Sequence, residues 1–294
     1  MRLRIGTRAS ALAMQQTHAI VALLQTASPG VVCEIVTITT HGDRFQFTPI
    51  TQMGTAVERG IFNSALEAAL IAEEVDLVTC SFKDVETERP QGISAHTAGH
   101  REDPRDVLVS RHGTPVANLP EGAVLATSSP RRVSQLARLR PDLRFEPLRG
   151  NVNTRIEQAA QRFDGIVLAA AGVLRLGLER HITEYIAPGQ MLPAPAQGAM
   201  GIQYLTHRED VAQVALAIQD EATERCALAE KRVLVTLSGG CFAPIGVLAT
   251  LEGEAMHLRI RVASGDGKRC AEAEARGPTE DWEALVRHTT QTIE

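Results

Sequence analysis

The chain has 294 residues, of which 44% are hydrophobic and 22% charged, with a formal net charge of -5 at pH 7. That length holds two or three domains with real cores, while the acidic balance and only 3% aromatic residues exclude nucleic acid as the main partner. The five cysteines, Cys33, Cys80, Cys226, Cys241 and Cys270, are odd in number and form no C-x-x-C pair, so neither a zinc site nor a disulfide framework is expected.

The first residues lack the apolar core of a signal peptide, and no apolar run approaches the ~18 residues of a membrane span. A cytoplasmic chain without a membrane partner is the expectation. Residues 3–5 read as a strand, 6–10 as a polar turn and 11–26 as a helix, a first βα unit. Residues 31–39 form a β-branched strand, and His41-Gly42-Asp43 opens an irregular stretch to Gly60 that has the character of a flap. Residues 63–74 are helical in pattern and lead into a buried strand at 75–80, followed by the turn Ser81-Phe82-Lys83-Asp84. A crossing between domains is placed near residues 99–104, before a strand that starts at Val107.

The second domain repeats the scheme. Residues 123–126 are a strand, Ser129 an N-cap, Pro130 the first helical position and 131–139 a helix. Residues 144–147 precede a second turn, where Thr154 and Glu157 read as a capping box, and 165–171 as another buried strand. Strands alternating with helices imply largely parallel sheets with ligands at the strands' carboxyl ends. Residues 188–195 with Gln197-Gly198 mark a second linker, after which 199–205 return to the first domain. A helix at 222–237, the turn Ser238-Gly239-Gly240-Cys241, a hairpin of 245–251 with 257–263, and a last helix from Asp281 make a small α+β domain. The expected division is 1–99 with 199–216, then 104–193, then 221–294.

Two arginine-bearing turns, 127–132 and 148–155, fall where a strand hands over to a helix. Helix starts carry unpartnered N–H groups and partial positive charge, so guanidinium groups there reinforce an anion site. A single Arg is more often a solvated surface charge, but Arg131, Arg132, Arg149 and Arg155 together read as binding groups for a polyanion, with Arg8 and Arg175 at further turns. Asp84 beside Lys83 is either an ion pair that caps a turn or a carboxylate that stabilises a cation and moves a proton. Isolated thiols are usually buried, but the two glycines before Cys241 favour an accessible attachment point or nucleophile.

Together, Ile5-Gly6-Thr7-Arg8, His41-Gly42-Asp43, Ser81 to Val85, Arg101 to Asp106, Thr127 to Arg132, Leu148 to Arg155, Gln197-Gly198-Ala199, and Gly239-Gly240-Cys241 with Pro244-Ile245-Gly246 resemble the porphobilinogen deaminases, also called hydroxymethylbilane synthases, over nearly the whole chain. The resemblance implies an α/β fold of two hinged domains like type II periplasmic binding proteins plus a small α+β domain, acting as a monomer in tetrapyrrole biosynthesis. It implies a dipyrromethane cofactor joined to Cys241 by a thioether, porphobilinogen as substrate, and no metal. Asp84 is then catalytic. Lys83, Ser81, Asp43, Thr127, Ser128, Ser129, Arg131, Arg132 and Gly150 surround the cofactor, Arg8, Ser10, Arg149, Arg155, Arg175 and Gln197 hold substrate, and Arg59 and Phe62 belong to a lid. The lid segment 48–60 departs from the family pattern in lacking lysines. Cys80 stands where His is usual, Glu86 where Pro is usual and Ser238 where an acidic residue is frequent. Two other readings remain open at this level: a relative that makes an altered oligopyrrole, and a two-lobed anion-binding protein without catalysis.

Overall fold

A computed structural model describes residues 1–40, 64–87, 89–237 and 244–293. Along the chain run β1 (Arg2–Thr7), α1 (Ala11–Ala27), β2 (Val32–Thr37), α2 (Ser64–Ile71), β3 (Leu77–Ser81), a 3-10 turn (Phe82–Asp84), β4 (Ile93–Ala98), β5 (Asp106–Ser110), β6 (Val124–Ala126), α3 (Pro130–Leu139), β7 (Arg144–Glu146), α4 (Val152–Arg162), β8 (Gly165–Ala169) and α5 (Ala170–Arg175). Then follow β9 (Glu184–Ile186), β10 (Met200–Leu205), α6 (Glu209–Leu216), α7 (Glu221–Thr236), β11 (Ile245–Glu252), β12 (Ala255–Ala263), β13 (Cys270–Pro278) and α8 (Trp282–Gln291). The chain divides into two compact units, residues 1–101 with 199–224 and residues 102–198 with 225–294.

In the first unit the strand order is β2-β1-β3-β10-β4, with β1 parallel to β2 and β3, and β10 antiparallel to both its neighbours. Successive side chains of a strand point to opposite faces. Leu77 therefore joins Leu3, Ile5, Ile20, Leu24 and Ile202 in one core, and Val78 joins Leu66, Leu70 and Val75 in another. Burial on both faces explains why β3 reads as a buried strand.

The second unit holds a sheet of order β7-β6-β8-β5-β9, with β6 parallel to β7 and β8, and β5 antiparallel to β8 and β9. Ile166 packs with Ile156, Phe163 and Val173, while Val167 packs with Leu108, Leu125 and Leu136 on the other face. The same unit includes the antiparallel sheet β11-β12-β13, cored by Val233, Val247, Leu258 and Val286 with α7 and α8. Arg261 of β12 ties that sheet to the preceding linker, donating to the Gln190 and Gly189 carbonyls at 2.8 and 3.0 Å and to Gln135 Oε1 at 2.9 Å.

The α/β class and the small α+β segment agree with the sequence reading, and the strand expected at 199–205 is β10. Several details are corrected. Each five-stranded sheet is mixed, because the strand that follows each crossing between units, β5 or β10, runs antiparallel to its neighbours. Strand β8 stops at Ala169, and Ala170 already begins α5. The N-cap of α4 is Asn151, whose Oδ1 accepts from the Thr154 N–H and hydroxyl, both at 2.9 Å; Thr154 is inside the helix, not its cap. Strands β4, β9 and β13 were not expected.

Candidate functional site

In the first unit the predicted residues follow the carboxyl ends of two adjacent parallel strands. Arg8 and Ser10 follow β1, and Ser10, in extended conformation, caps α1 by accepting the Ala13 N–H at 3.4 Å. Ser81 ends β3, and the chain at once tightens into the turn Phe82–Asp84, closed by the Val85 N–H on the Phe82 carbonyl at 3.1 Å. That turn buries Phe82, leaves Lys83 half-buried and exposes Asp84. Gln16 ties α1 to the end of β3, its Nε2 donating to Ser81 Oγ at 3.1 Å. Below them, Thr17 donates to Thr7 Oγ1 at 2.8 Å and lies 2.7 Å from Thr79 Oγ1, a buried hydroxyl cluster that locks α1 onto β1 and β3.

Gly201 fixes the height of the Asp84 turn. It lies opposite Cys80 in β3, and a Cβ there would come within 2.9 Å of the Phe82 ring and 3.3 Å of Phe82 Cα. Only a glycine allows the β10 backbone to approach Phe82 this closely.

In the second unit the two arginine turns follow β6 and β7, at the same end of a parallel pair. They are fastened together. Ser128 Oγ accepts from Leu148 N and donates to Leu148 O, both at 3.1 Å, and the Thr127 N–H reaches the Glu146 carbonyl at 2.8 Å. Ser129 caps α3 through the Arg132 N–H, and the Thr127 hydroxyl accepts from the Ser129 N–H at 3.2 Å. Gly150 supplies a left-handed φ of +115° between β7 and the Asn151 cap, and its carbonyl accepts from Arg155 Nε at 2.7 Å.

Arg131 and Arg132 are buried and share one carboxylate. Arg131 donates to Asp106 Oδ2 at 2.6 Å and to the Leu192 carbonyl at 2.8 Å. Arg132 donates to Asp106 Oδ1 through Nε at 2.9 Å and Nη2 at 2.8 Å, and to the Val167 carbonyl at 2.8 Å. Asp106 is fully buried. Burial alone raises a carboxyl pKa, but the charges of Arg131 and Arg132 outweigh it and hold Asp106 far below the usual carboxylate range. Gln197 adds its amide, donating to Asp106 Oδ1 at 3.1 Å and to the Pro104 carbonyl at 2.8 Å. Arg175 donates to the Gly198 carbonyl at 2.7 Å, and burial lowers its pKa.

Two guanidinium groups on one carboxylate leave a positive excess, and Arg155 registers it. Its pKa is pushed down to about 10, first by burial and then by the like charges of Arg132 and Arg149. A site that already destabilises its own cations gains most from a ligand bearing several carboxylates. The arrangement therefore suits a polycarboxylate.

Asp43, Arg59, Phe62, Cys241 and the segment 48–60 lie outside the described residues. Three contributors escaped the sequence reading as site residues: Asp106, Gln16 and Glu230, a fully buried carboxylate within α7. Asp106 carried a signal, because an acid that opens a strand with the apolar run Val107-Leu108-Val109 must find cationic partners. Gln16 and Glu230 carried none, since one polar residue within a helix ordinarily faces water.

Comparison with known proteins adds the following. Residues 3–213 match the family model described as "Porphobilinogen deaminase, dipyromethane cofactor binding domain", and residues 224–294 match "Porphobilinogen deaminase, C-terminal domain". The chain is 38% identical over 292 residues to the porphobilinogen deaminase of Alkaliphilus metalliredigens, covering 99% of this chain and 92% of that one. It is 41% identical over 267 residues to that of Roseiflexus castenholzii, covering 90% and 87%. Among solved structures, the periplasmic VFT2 domain of Bordetella pertussis BvgS aligns at 15% identity with a TM-score of 0.46, over 74% of this chain and 86% of that one.

Proposed function

Because the chain belongs to the porphobilinogen deaminase family, we propose that its arginine turns and the Asp84 turn divide the work of that reaction between charge binding and proton handling. The protein is a hydroxymethylbilane synthase: it joins four porphobilinogen molecules head to tail, loses one ammonia at each addition, and releases the product by hydrolysis. The family's dipyrromethane cofactor supplies the pyrrole carbon onto which the first substrate is added.

The residues present fit that group. Acetate and propionate arms match guanidinium forks, and the gathering of Arg131, Arg132 and Arg155 on two fastened turns at the same end of β6 and β7 is the observation that carries the assignment, with the lowered pKa of Arg155 in support. Arg131, Arg132, Thr127, Ser128, Ser129 and Gly150 would hold the cofactor's arms, with Ser81, Lys83 and Asp43. Arg8, Ser10, Arg149, Arg155, Arg175 and Gln197 hold those of arriving substrate, and Cys241 is the thioether anchor.

Asp84 accepts the substrate's pyrrole N–H and stabilises the positive charge that develops as ammonia leaves the aminomethyl carbon. The exposure of Asp84, in the turn after β3, supports that reading. The same group takes the proton released when the new carbon–carbon bond restores the aromatic ring. Residues 221–294 act as a third domain. The protein works as a cytoplasmic monomer that needs neither metal nor nucleic acid.

The test is intact mass of the protein after expression with porphobilinogen available. The wild type carries the added mass of two linked pyrrole units, and Cys241→Ala carries none. Asp84→Ala folds normally and loses turnover. A wild-type chain without an adduct sinks the assignment, and so does an Asp84→Ala protein that turns over at the normal rate.

A further inference from the structure

Glu230 is fully buried in α7. Its two oxygens have separate duties. Oε2 accepts the Ala196 N–H at 2.5 Å, and Oε1 accepts the Ala249 N–H in β11 at 2.8 Å. Ala196 has φ +61°, a left-handed conformation that costs a side-chain-bearing residue about 1–2 kcal/mol and persists only where the surroundings enforce it. The residue after it is Gln197.

From there a line of short contacts leads to the arginine pair. The Gln197 N–H closes a turn on the Ala194 carbonyl at 2.9 Å, and its side-chain amide spans the Pro104 carbonyl and Asp106 Oδ1. Asp106 in turn orients Arg131 and Arg132. Glu230 thus stands one backbone turn and one amide away from the carboxylate that aims both guanidiniums. It also braces α7 against β11, the two elements that the chain joins through the segment carrying Cys241.

We propose that Glu230, acting through Ala196 and Gln197, is a positioning residue for the Asp106–Arg131–Arg132 cluster, and so couples the helix before the cofactor anchor to the groups that grip the cofactor's carboxylates. The proposal rests on the cofactor reading above, and it assigns Gln197 to holding Asp106 in addition to any contact with substrate. A carboxylate is required because two N–H donors converge on it. The amide of Glu230→Gln would turn an N–H group toward one of those donors, leaving it without an acceptor.

The experiment follows the side-chain Nε–H signals of Arg131 and Arg132 by nitrogen–proton NMR in the full-length protein, alongside thermal unfolding and intact mass. In wild type the Arg132 Nε–H, bonded to Asp106, exchanges slowly with water. In Glu230→Gln it shifts and exchanges roughly tenfold faster, the equivalent of one lost net hydrogen bond, and a smaller fraction of chains carries the cofactor mass. Gln197→Leu, which keeps both Glu230 contacts, gives the same Arg132 change and serves if Glu230→Gln does not fold. A lowered unfolding temperature with an unchanged Arg132 signal makes Glu230 a mere brace and overturns the proposal, as does an unchanged signal in Gln197→Leu. The Arg132 signal is readable with or without cofactor, so a wild-type protein lacking the adduct would refute the functional reading while leaving this coupling to be judged by its own result.

Discussion

Replacing Gly201 by Ala tests whether the Asp84 turn is set by the strand behind it. The new methyl would meet the Phe82 ring at 2.9 Å, Cys80 Sγ at 3.1 Å and Phe82 Cα at 3.3 Å. Ordinary carbon contacts lie near 3.5–4.0 Å, so Phe82 must retreat by roughly half an ångström. The ring is 2% exposed, so it cannot turn toward solvent without leaving the core. Because one clash is with Cα, a change of rotamer cannot absorb it, and the turn Phe82–Asp84 moves as a piece. Overpacking of this kind costs about 1–3 kcal/mol, which a chain of this size survives. A displacement of 1 Å in a reacting group costs as much as ~10²-fold in rate, so half that displacement predicts a loss of roughly tenfold in kcat. The assay is initial rate at saturating porphobilinogen on protein shown by mass to carry its cofactor, with unfolding temperature measured in parallel. The double variant with Cys80→Ala removes the sulfur contact and leaves the Phe82 contacts, so it should not recover the rate. A Gly201→Ala protein that is destabilised but turns over at the wild-type rate would refute the coupling between β10 and the Asp84 turn.

Two further outcomes follow. Ser128→Ala removes both bonds to Leu148, whose N–H and carbonyl sit on a residue 5% exposed; it should cost about 1–3 kcal/mol in urea unfolding and lower cofactor retention, because the two arginine turns are no longer fastened. Asp76 provides an acid-sensitive link in the first unit: burial raises its pKa, but bonds from Arg4 and Arg208 prevail and hold it at about 2, against an ordinary 3.8. A lowered folded-state pKa stabilises above the unfolded value, so wild type should exceed Asp76→Asn by roughly 1–2 kcal/mol above about pH 4, after allowance for solvent screening. That margin should shrink as pH falls toward 2, and a difference independent of pH in urea titrations would contradict the assignment.

Legibility in the sequence followed the physics of each element. Strand β8 is buried on both faces, so its apolar run announces it, and Ser129-Pro130 declares the start of α3 through cap and ring chemistry that operates locally. Strand β13 is the opposite case. Its Cys-Ala-Glu-Ala-Glu-Ala run uses residues with little strand preference and some helix preference, and only pairing along β12 holds it extended. Strand β4, Ile-Ser-Ala-His-Thr-Ala, alternates too weakly to stand out, and its place at the sheet edge depends on β10, which arrives from more than ninety residues later.

The site divides along the same line. The arginine turns were visible because a guanidinium at a helix start has a local meaning, whereas the carboxylates that aim such groups act from a distance. Asp106 is 25 residues from Arg131, Gln197 is 91 from Asp106, and Glu230 is 34 from Ala196. A buried acid must be matched by partners, but sequence does not say which ones, since the choice is made by sheet order and by the path of the linker. The cations were therefore the readable half of the cluster. Their counterions decide how much of each guanidinium is left for a ligand, and an Arg132→Lys protein would reveal the difference: a lysine retains the charge but lacks the fork that now serves Asp106 and the Val167 carbonyl together.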